Sequence, residues 1–333
     1  MGVKSLPTHA RRIHPGFLAC GLVLILAGLF LARHVLRDAA TLAALPLIWA
    51  RHANRFYLSA EHDGFDVTFA NYSIHQTSAA PFPDRVPPVL HHISLGSGAA
   101  THSKWTQVRQ DCLDMHPDWD AYLWTDETAG KFVAETFPDL FEMWTTYRYP
   151  IQKIDALRYM VLYHYGGVIL DMDLQCKRGF GPLRRFEFVA PAAHPTGFSI
   201  GFMMAAKGNA YVGKLVQNLK RYNRHWLWLP YPTVMFSTGC HYASTIHAFQ
   251  RDRSSLKILA GPKHHPKMHR LNGPVSTPIF NHLGSSSWHS YDAAMIVSLG
   301  KKSGWKLPLV FIAAVGAAFV VIKRSKRRRG LKV

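Results

Sequence analysis

Cysteine is scarce in this chain of 333 residues, and no segment is repeated or of low complexity. Four cysteines are too few for a small fold held together by disulfides. Cys20 lies in an apolar run, so at most one bridge can form among Cys112, Cys176 and Cys240. The lack of repeats excludes a solenoid or a propeller. With 48% apolar and 12% aromatic residues, the chain is expected to fold around a hydrophobic core.

Acidic residues are also few, since 20 Asp and Glu stand against 39 Lys and Arg and leave a net charge of +19. Much of the excess lies at the two ends. Lys4, Arg11 and Arg12 precede one apolar run, and a basic segment, KRSKRRR, follows another. Basic residues gather in this way on the cytoplasmic flanks of membrane spans. A nucleic-acid-binding protein would carry its basic patch on a folded face, so no nucleic-acid partner is expected.

The two apolar runs cover residues 17–32 and 305–322, and each is slightly shorter than the roughly 20 residues that cross a bilayer. The alternatives are a cleaved signal peptide for the first and a buried core helix for the second. We predict two transmembrane helices, because no A-x-A cleavage site follows the first run and a basic segment follows the second. Both termini would then be cytoplasmic. The sequon Asn71-Tyr72-Ser73 agrees with a lumenal position of the residues between the runs.

The pattern of residues between the two runs is typical of an α/β domain. Strands are predicted at 89–95, 120–124 and 168–170, and helices at 104–115 and 151–164. Strands that alternate with helices favour a mostly parallel sheet, which binds ligands at the carboxyl ends of its strands. The predicted segments are a cytoplasmic N-terminus (1–16), a transmembrane anchor (17–32), a stem (33–85), a catalytic domain (86–300), a transmembrane helix (305–322) and a basic cytoplasmic tail (323–333).

Two carboxylates follow the strand at 168–170. Asp171-Met172-Asp173 comes directly after this apolar strand, which itself follows Gly166-Gly167. In an extended segment residues i and i+2 point the same way, so both carboxylates would face one ion while Met172 points into the core. Carboxylate oxygens suit Mg²⁺ or Mn²⁺. Most D-x-D triplets are solvated loop acids, but the position after a buried strand makes a metal site our interpretation here.

Asp155 and Arg158 lie three residues apart in the predicted helix that leads to this strand, and therefore on one helical face. They form either a surface ion pair, which contributes little to stability, or a pair that contacts the ligand at the same corner of the sheet.

The stretch IQKIDALRYMVLYHYGGVILDMDLQC is similar to the DXD-containing sugar-binding region of glycosyltransferase family 32, and most of all to the fungal inositol-phosphorylceramide mannosyltransferases. Four further blocks also resemble this family: PVLHHISLG, AYLWTDE, YPTVMFSTGC and NHLGSSSWHSYDA. The resemblance covers roughly residues 86–295. The combination of blocks is specific, although no single block is.

The resemblance implies a GT-A fold, which is Rossmann-like, a GDP-mannose donor, Mn²⁺ (or Mg²⁺), and retention of configuration at the anomeric carbon. It assigns Asp171 and Asp173 to catalysis and to the metal. A late histidine completes the metal sphere in several GT-A enzymes, and the candidates here, His282 and His289, have the alternative of being ordinary loop histidines. The resemblance also assigns a group of residues to the donor: Asp155, Arg158, Ser286 and Trp288.

The acceptor implied by the resemblance is inositol phosphorylceramide in a Golgi or other secretory-pathway membrane, with a regulatory membrane subunit as a further partner. The chain departs from the family at three places: Ile169 stands for Tyr, His91-His92 for His-Gln, and Ile200-Gly201 for Asn-Asp. The last change removes polar groups near the predicted site. Two alternatives therefore stay open, a mannosyltransferase of N-glycan chains and an inactive family member that serves as a membrane scaffold subunit.

Overall fold

The computed structural model describes residues 15–52, 55–96, 103–271, 273–284 and 292–293. Within these ranges the helices are α1 (Pro15–His52), α2 (Ala60–Asp63), α3 (Ser103–Asp114), α4 (Asp126–Thr136), α5 (Pro138–Thr145), α6 (Pro150–Tyr165), α7 (Ala210–Tyr222), α8 (Pro230–Ser237) and α9 (Cys240–Ala248). The strands are β1 (Val89–Ile93), β2 (Asp120–Trp124), β3 (Gly167–Leu170), β4 (Leu174–Cys176), β5 (Phe188–Pro191), β6 (Phe202–Ala205), β7 (Leu256–Leu259), β8 (Val275–Ser276) and β9 (Phe280–His282).

The larger sheet has six strands in the order β2-β1-β3-β6-β5-β7. β1 is parallel to β2 and β3, and β5 is parallel to β7, whereas β6 is antiparallel to both of its neighbours. The predicted α/β fold with a mostly parallel sheet is confirmed, although the sheet is mixed. β6 follows β5 without an intervening helix, and such a direct connection allows neighbouring strands to run antiparallel. A smaller sheet has the order β4-β9-β8.

The predicted elements around the D-x-D agree with the structure to within two residues. α6 begins at Pro150, ends at Tyr165 and is followed by Gly166 and Gly167, both with positive φ. A Cβ atom on Gly166 would lie 2.6 Å from the Lys207 amide nitrogen, and one on Gly167 would lie 2.6 Å from the Val89 carbonyl oxygen. The glycine pair therefore allows the chain to turn sharply from α6 into a strand that lies against β1.

The hydrophobic core lies on both faces of the larger sheet. β3 is buried along its whole length, with Val168 and Leu170 in the cluster on one face and Ile169 in the cluster on the other. The Ile169 face is covered by α6, α7, α9 and the second half of α1. The departure from Tyr at position 169 therefore lies in the apolar core, where a buried isoleucine leaves no polar atom unpaired.

α1 has two halves with different surroundings. Its second half packs on the domain through Leu42, Leu45 and Trp49, which are buried. The first half, which includes the predicted anchor at 17–32, exposes its large apolar side chains from Leu24 onward. Among the residues that the structure describes, no helix combines the length and the apolar character needed to cross a membrane. The predicted span at 305–322 lies outside the described residues.

Residues of the predicted stem also pack against the domain. Phe65, Val67 and Phe69 are buried in the cluster on the face opposite Ile169. On this same side a disulfide joins Cys112 of α3 to Cys176 of β4. Cys240 is not bonded to another cysteine. This agrees with the expectation of at most one bridge among the three cysteines.

Candidate active site

Arg158 lies at the centre of a buried charge network where α6 meets the carboxyl end of β3. Its Nη2 group donates to Asp171 Oδ1 at 2.5 Å, and its Nη1 group lies 3.5 Å from Asp155 Oδ1. Nη1 also donates to the Ile200 carbonyl oxygen at 3.3 Å. The Asp155 and Arg158 side chains are only 4% and 7% exposed. Of the two interpretations considered from the sequence, the one that makes them a surface ion pair is therefore wrong. The pair is buried and extends to the D-x-D.

The D-x-D segment is a turn. The Leu174 amide donates to the Asp171 carbonyl oxygen at 3.1 Å, and the Asp171 amide donates to the Gly201 carbonyl oxygen at 2.8 Å. The predicted extended geometry is therefore wrong, and Met172 is half-buried rather than a core residue. The physical reason is that the chain must leave β3 and enter β4, which pairs with β9 in the other sheet.

His282 is brought to the D-x-D by the pairing of β4 with β9. Leu174 is the register partner of His282, and the Leu283 amide donates to the Asp173 carbonyl oxygen at 2.9 Å. His282 Nε2 lies 3.3 Å from Asp173 Oδ2. Of the two predicted histidines, the structure therefore places His282 beside the D-x-D. The other residues predicted for this region lie outside the described residues: Ser286, Trp288 and His289.

The site contains more carboxylates than cations. Burial raises the pKa of Asp155 to about 6, although Arg158 and the hydrogen bond from Thr238 act in the opposite direction. Burial likewise raises the pKa of Asp171 to about 7, opposed by Arg158 and helped by the charges of Asp173 and Asp155. Burial alone would lower the pKa of His282, but its hydrogen bond with Asp173 and the Asp173 charge raise it. An additional positive charge would stabilise this cluster.

The side chains around Asp171 are of the types that bind divalent cations. In the described part of the chain, however, no group of three or more His, Cys, Asp or Glu side chains is arranged to hold a metal ion. Asp171 and Asp173 nevertheless interact electrostatically with each other, and His282 interacts with both. Two carboxylates and an imidazole suit Mn²⁺ or Mg²⁺ that completes its coordination with oxygens of water or phosphate. Asp171 is accessible for this role because its side chain is 32% exposed.

Thr238 supports the network from the segment between α8 and α9. Its hydroxyl donates to Asp155 Oδ2 at 3.0 Å, and its carbonyl oxygen accepts from the Tyr159 hydroxyl. Cys240 is close to the same charges, and burial raises the pKa of its thiol to about 11. Neither Thr238 nor Cys240 was predicted from the sequence to belong to the site. The available signal was the similarity of the block YPTVMFSTGC to the family, which contains both.

Gly201 lies directly beside Asp171. A Cβ atom at this position would be 2.7 Å from Asp171 Oδ2, so the glycine leaves the space next to the D-x-D open. Ile200 is buried and contributes its carbonyl oxygen to Arg158. Having Ile200-Gly201 where the family has Asn-Asp therefore leaves no polar side chain of this segment next to Asp171. Its backbone carbonyl oxygens still accept hydrogen bonds from Arg158 and from the Asp171 amide.

The histidine pair in β1 is buried. His91 Nε2 lies 2.9 Å from the Gly166 carbonyl oxygen, at the glycine pair that precedes β3. Burial lowers the pKa of His92 to about 3, so its imidazole is neutral near pH 7. His91 thus helps to hold the connection between α6 and β3.

The geometry and the sequence point to the same class of protein. A family model described as "Glycosyltransferase sugar-binding region containing DXD motif" matches residues 102–189. This range contains the network of Asp155, Arg158, Asp171 and Asp173. The chain belongs to this family of DXD-containing glycosyltransferases, and it is a glycosyltransferase.

Particular relatives are fungal enzymes. The chain is 32% identical over 270 residues to inositol phosphoceramide mannosyltransferase 1 of Schizosaccharomyces pombe, which covers 77% of this chain and 79% of that protein. It is 35% identical over 226 residues to mannosyl phosphorylinositol ceramide synthase SUR1 of Saccharomyces cerevisiae, covering 66% of this chain and 56% of that protein. The resemblance found in the sequence is thereby confirmed.

A solved structure, PaToxG glycosyltransferase, matches with a TM-score of 0.36 and 21% identity, covering 53% of this chain and 74% of that chain.

Proposed function

We propose that the chain is a retaining, metal-dependent mannosyltransferase of GT-A type that moves mannose from GDP-mannose to inositol phosphorylceramide. The observation that carries the proposal is the carboxylate-rich network at the carboxyl end of β3, where Arg158 pairs with Asp155 and Asp171 and the charge of Asp173 acts on Asp171. The names of the two fungal relatives agree with the sugar and the acceptor.

The cation would be held by Asp171, Asp173 and His282, with His289 as a further candidate ligand. Its chemistry when bound is that of a Lewis acid, which stabilises the negative charge that develops on a departing diphosphate. Asp173 is oriented by two contacts, the backbone hydrogen bond from Leu283 and the imidazole of His282. Ser286 and Trp288 would lie over the donor.

Arg158 acts in this proposal mainly by positioning Asp171. Both of its Nη groups are already engaged by Asp155, Asp171 and the Ile200 carbonyl oxygen. A guanidinium fixed in this way holds the Asp171 carboxylate in one orientation and offsets part of the negative charge. Asp155, held by Arg158 and Thr238, would accept hydrogen bonds from hydroxyls of the donor sugar.

The reaction is proposed to take place in the lumen of the secretory pathway, in the Golgi, at a membrane surface. The disulfide between Cys112 and Cys176 supports an oxidising compartment. The sequon residue Asn71 is exposed, as glycosylation requires. The exposed apolar side chains of α1 support contact with lipid. A regulatory membrane subunit remains part of the proposal.

The test is a transfer assay with the full chain, Mn²⁺ and inositol phosphorylceramide in mixed micelles. GDP-mannose, UDP-glucose and UDP-galactose are offered in parallel, each with a radiolabelled sugar, and the lipid product is separated by chromatography. Label is expected in the lipid with GDP-mannose only, and chelation of the metal should abolish it. Transfer from another donor, or to an N-glycan acceptor only, would overturn the proposed substrates, and no transfer or donor hydrolysis would favour the inactive scaffold.

A further inference from the structure

The turn between α7 and α8 exposes two large apolar side chains. Leu227 is 70% exposed, and Trp228, at 84%, is the most exposed large apolar side chain in the described part of the chain. Both residues have positive φ, 52° and 56°. Bulky residues rarely adopt this conformation because Cβ crowds the following carbonyl oxygen. The backbone is therefore strained at two residues whose side chains are largely exposed, although the Trp228 ring stacks on His225 with 5.8 Å between the ring centroids.

Trp226 holds the turn in place. Its ring is buried, packs against Phe236, and donates through Nε1 to the Tyr222 carbonyl oxygen at 3.1 Å. The Thr233 hydroxyl donates to the Trp226 carbonyl oxygen at 3.3 Å. The turn is thus anchored at its base while its tip points outward. The positive φ angles of Leu227 and Trp228 are kept in place by these contacts of Trp226. Backbone strain that is maintained in this way is often associated with a functional site.

The turn lies beside α1, at the level where the exposed apolar stretch of that helix ends. Arg221 and Arg224, at the end of α7, both pair with the buried Asp38 of α1. The Tyr222 hydroxyl lies 3.4 Å from Thr41 Oγ1. Going back toward the N-terminus from Asp38, α1 exposes large apolar side chains on all sides, as successive residues rotate by about 100°. They include Leu24, Leu26, Phe30, Leu31 and Leu36.

We propose that the turn at 225–229, which we call the Trp228 turn, contacts a lipid surface together with the exposed apolar stretch of α1. A protein partner would cover one side of a helix, whereas lipid covers all sides, and the apolar stretch is exposed all round. Tryptophan suits the boundary between apolar chains and water. The exposed basic residues Arg33, Arg37 and Lys220 lie at or near the same level and suit anionic head groups.

The consequence for catalysis rests on the proposed function. α8 begins at Pro230, directly after the Trp228 turn, and ends at Ser237, next to Thr238. Eight helical residues span about 12 Å. Thr238 in turn donates to Asp155 of the site. A lipid surface in contact with Trp228 would therefore lie about the length of α8 from the charge network. At this distance a lipid acceptor would reach the donor while its acyl chains stay in the bilayer.

The contact is tested by fluorescence quenching on the full chain reconstituted in phosphatidylcholine vesicles that contain phosphatidylinositol. In a Cys20→Ser/Cys240→Ala background the change Trp228→Cys provides a single thiol for a bimane label, since Cys240 is only half-buried and the other two cysteines are bonded to each other. The control is Asp118→Cys, an exposed position next to Trp119, which packs in the cluster on the other face of the sheet. Nitroxide-labelled phospholipid should quench the label at 228 several-fold more than the label at 118.

Equal quenching at 228 and 118 would overturn the proposal. The proposal would also be overturned if the fluorescence of the label at 228 changed with protein concentration in detergent but was not quenched by nitroxide lipid in vesicles. That result would indicate that the turn contacts a second copy of the chain. Both results are independent of catalysis. If the wild-type chain transfers no mannose, the proposed function fails while the quenching result stands.

A kinetic measurement connects the contact to transfer. The double variant Leu227→Ser/Trp228→Ser should lower transfer to an acceptor embedded in vesicles about tenfold, since it removes apolar area from the lipid contact. Hydrolysis of GDP-mannose by water should be unchanged. The matched control Phe249→Ser removes an exposed apolar ring after α9 and should leave both rates unchanged. An equal loss of hydrolysis and transfer in the double variant would mean that the turn supports folding, and would contradict the proposal.

Discussion

The two carboxylates of the D-x-D have different partners. On the α6 side of the site, Asp171 pairs with Arg158, a guanidinium that stays charged at every accessible pH. On the β9 side, Asp173 pairs with His282, whose charge depends on pH. The α6 side is therefore organised around a permanent positive charge and is built from α6 and β3, which are adjacent in the sequence. The other side is a titratable pair assembled by strands that are far apart in the sequence. We expect Arg158 to fix the geometry, and His282 together with Asp171 to set the pH range for metal binding.

The largest expected effect comes from removing either carboxylate. Asp171→Ala and Asp173→Ala should each lower turnover on the order of 100-fold or more, because stabilisation of charge on the leaving group is worth several kcal/mol. Mannose transfer is measured per folded protein, with circular dichroism as the check on folding and Asp114→Ala, an exposed carboxylate at the end of α3, as the control. Near-normal turnover in both variants would show that the D-x-D does not hold a catalytic metal ion.

Substitutions of Arg158 test whether this residue positions the carboxylates of the α6 side or only balances their charge. Arg158→Ala leaves Asp155 and Asp171 without their shared partner and should lower the free energy of unfolding by roughly 3–5 kcal/mol. Arg158→Lys keeps the charge but cannot reach two carboxylates and a carbonyl at once, so turnover should fall about tenfold or more. Asp155→Asn, which loses an acceptor, should impair transfer as well. Wild-type turnover in Arg158→Lys would mean that a point charge is sufficient there.

The pH dependence of metal binding tests the β9 side. A cation needs Asp171 and His282 deprotonated, and the pKa of each is raised, that of Asp171 to about 7. Affinity for Mn²⁺ should therefore decrease as the pH falls through about 7, by about tenfold per pH unit for each proton displaced. Calorimetric titration should show a shallower dependence in His282→Gln, which has one proton fewer to displace. An unchanged slope in that variant would exclude His282 as a ligand.

Gly201 gives the smallest effect that we expect to be measurable. Gly201→Ala places a methyl group 2.7 Å from Asp171 Oδ2, which should displace the carboxylate and lower turnover several-fold with little loss of stability. The matched change Gly130→Ala in α4 meets no atom within 4 Å. There alanine should be neutral or should stabilise the fold by roughly 0.5–1 kcal/mol. If the two variants had equal turnover, the space beside Asp171 would have no catalytic importance.

The α6 side was largely predictable from the sequence and the β9 side only in part. Local signals define α6 and β3: proline at the start, the glycine pair at the end, and an apolar run before the carboxylates. The turn at the D-x-D was not predictable, because it depends on the pairing of β4 with β9. The hydrogen bond from Thr238 to Asp155 joins residues 83 positions apart, a contact that no local pattern encodes. His282 was only one of two candidates, since strand register decides which histidine reaches Asp173.

The disulfide between Cys112 and Cys176 links the activity of the chain to its redox state. Cys176 ends the strand that begins directly after Asp173, so the covalent bond holds the D-x-D turn to α3. A bond across 64 residues contributes roughly 4 kcal/mol by restricting the unfolded chain. A chain that folds before it is oxidised would have the same sheet but a less firmly held D-x-D. We therefore expect the reduced chain to have lower activity than the oxidised chain, and the activity to rise as the bond forms.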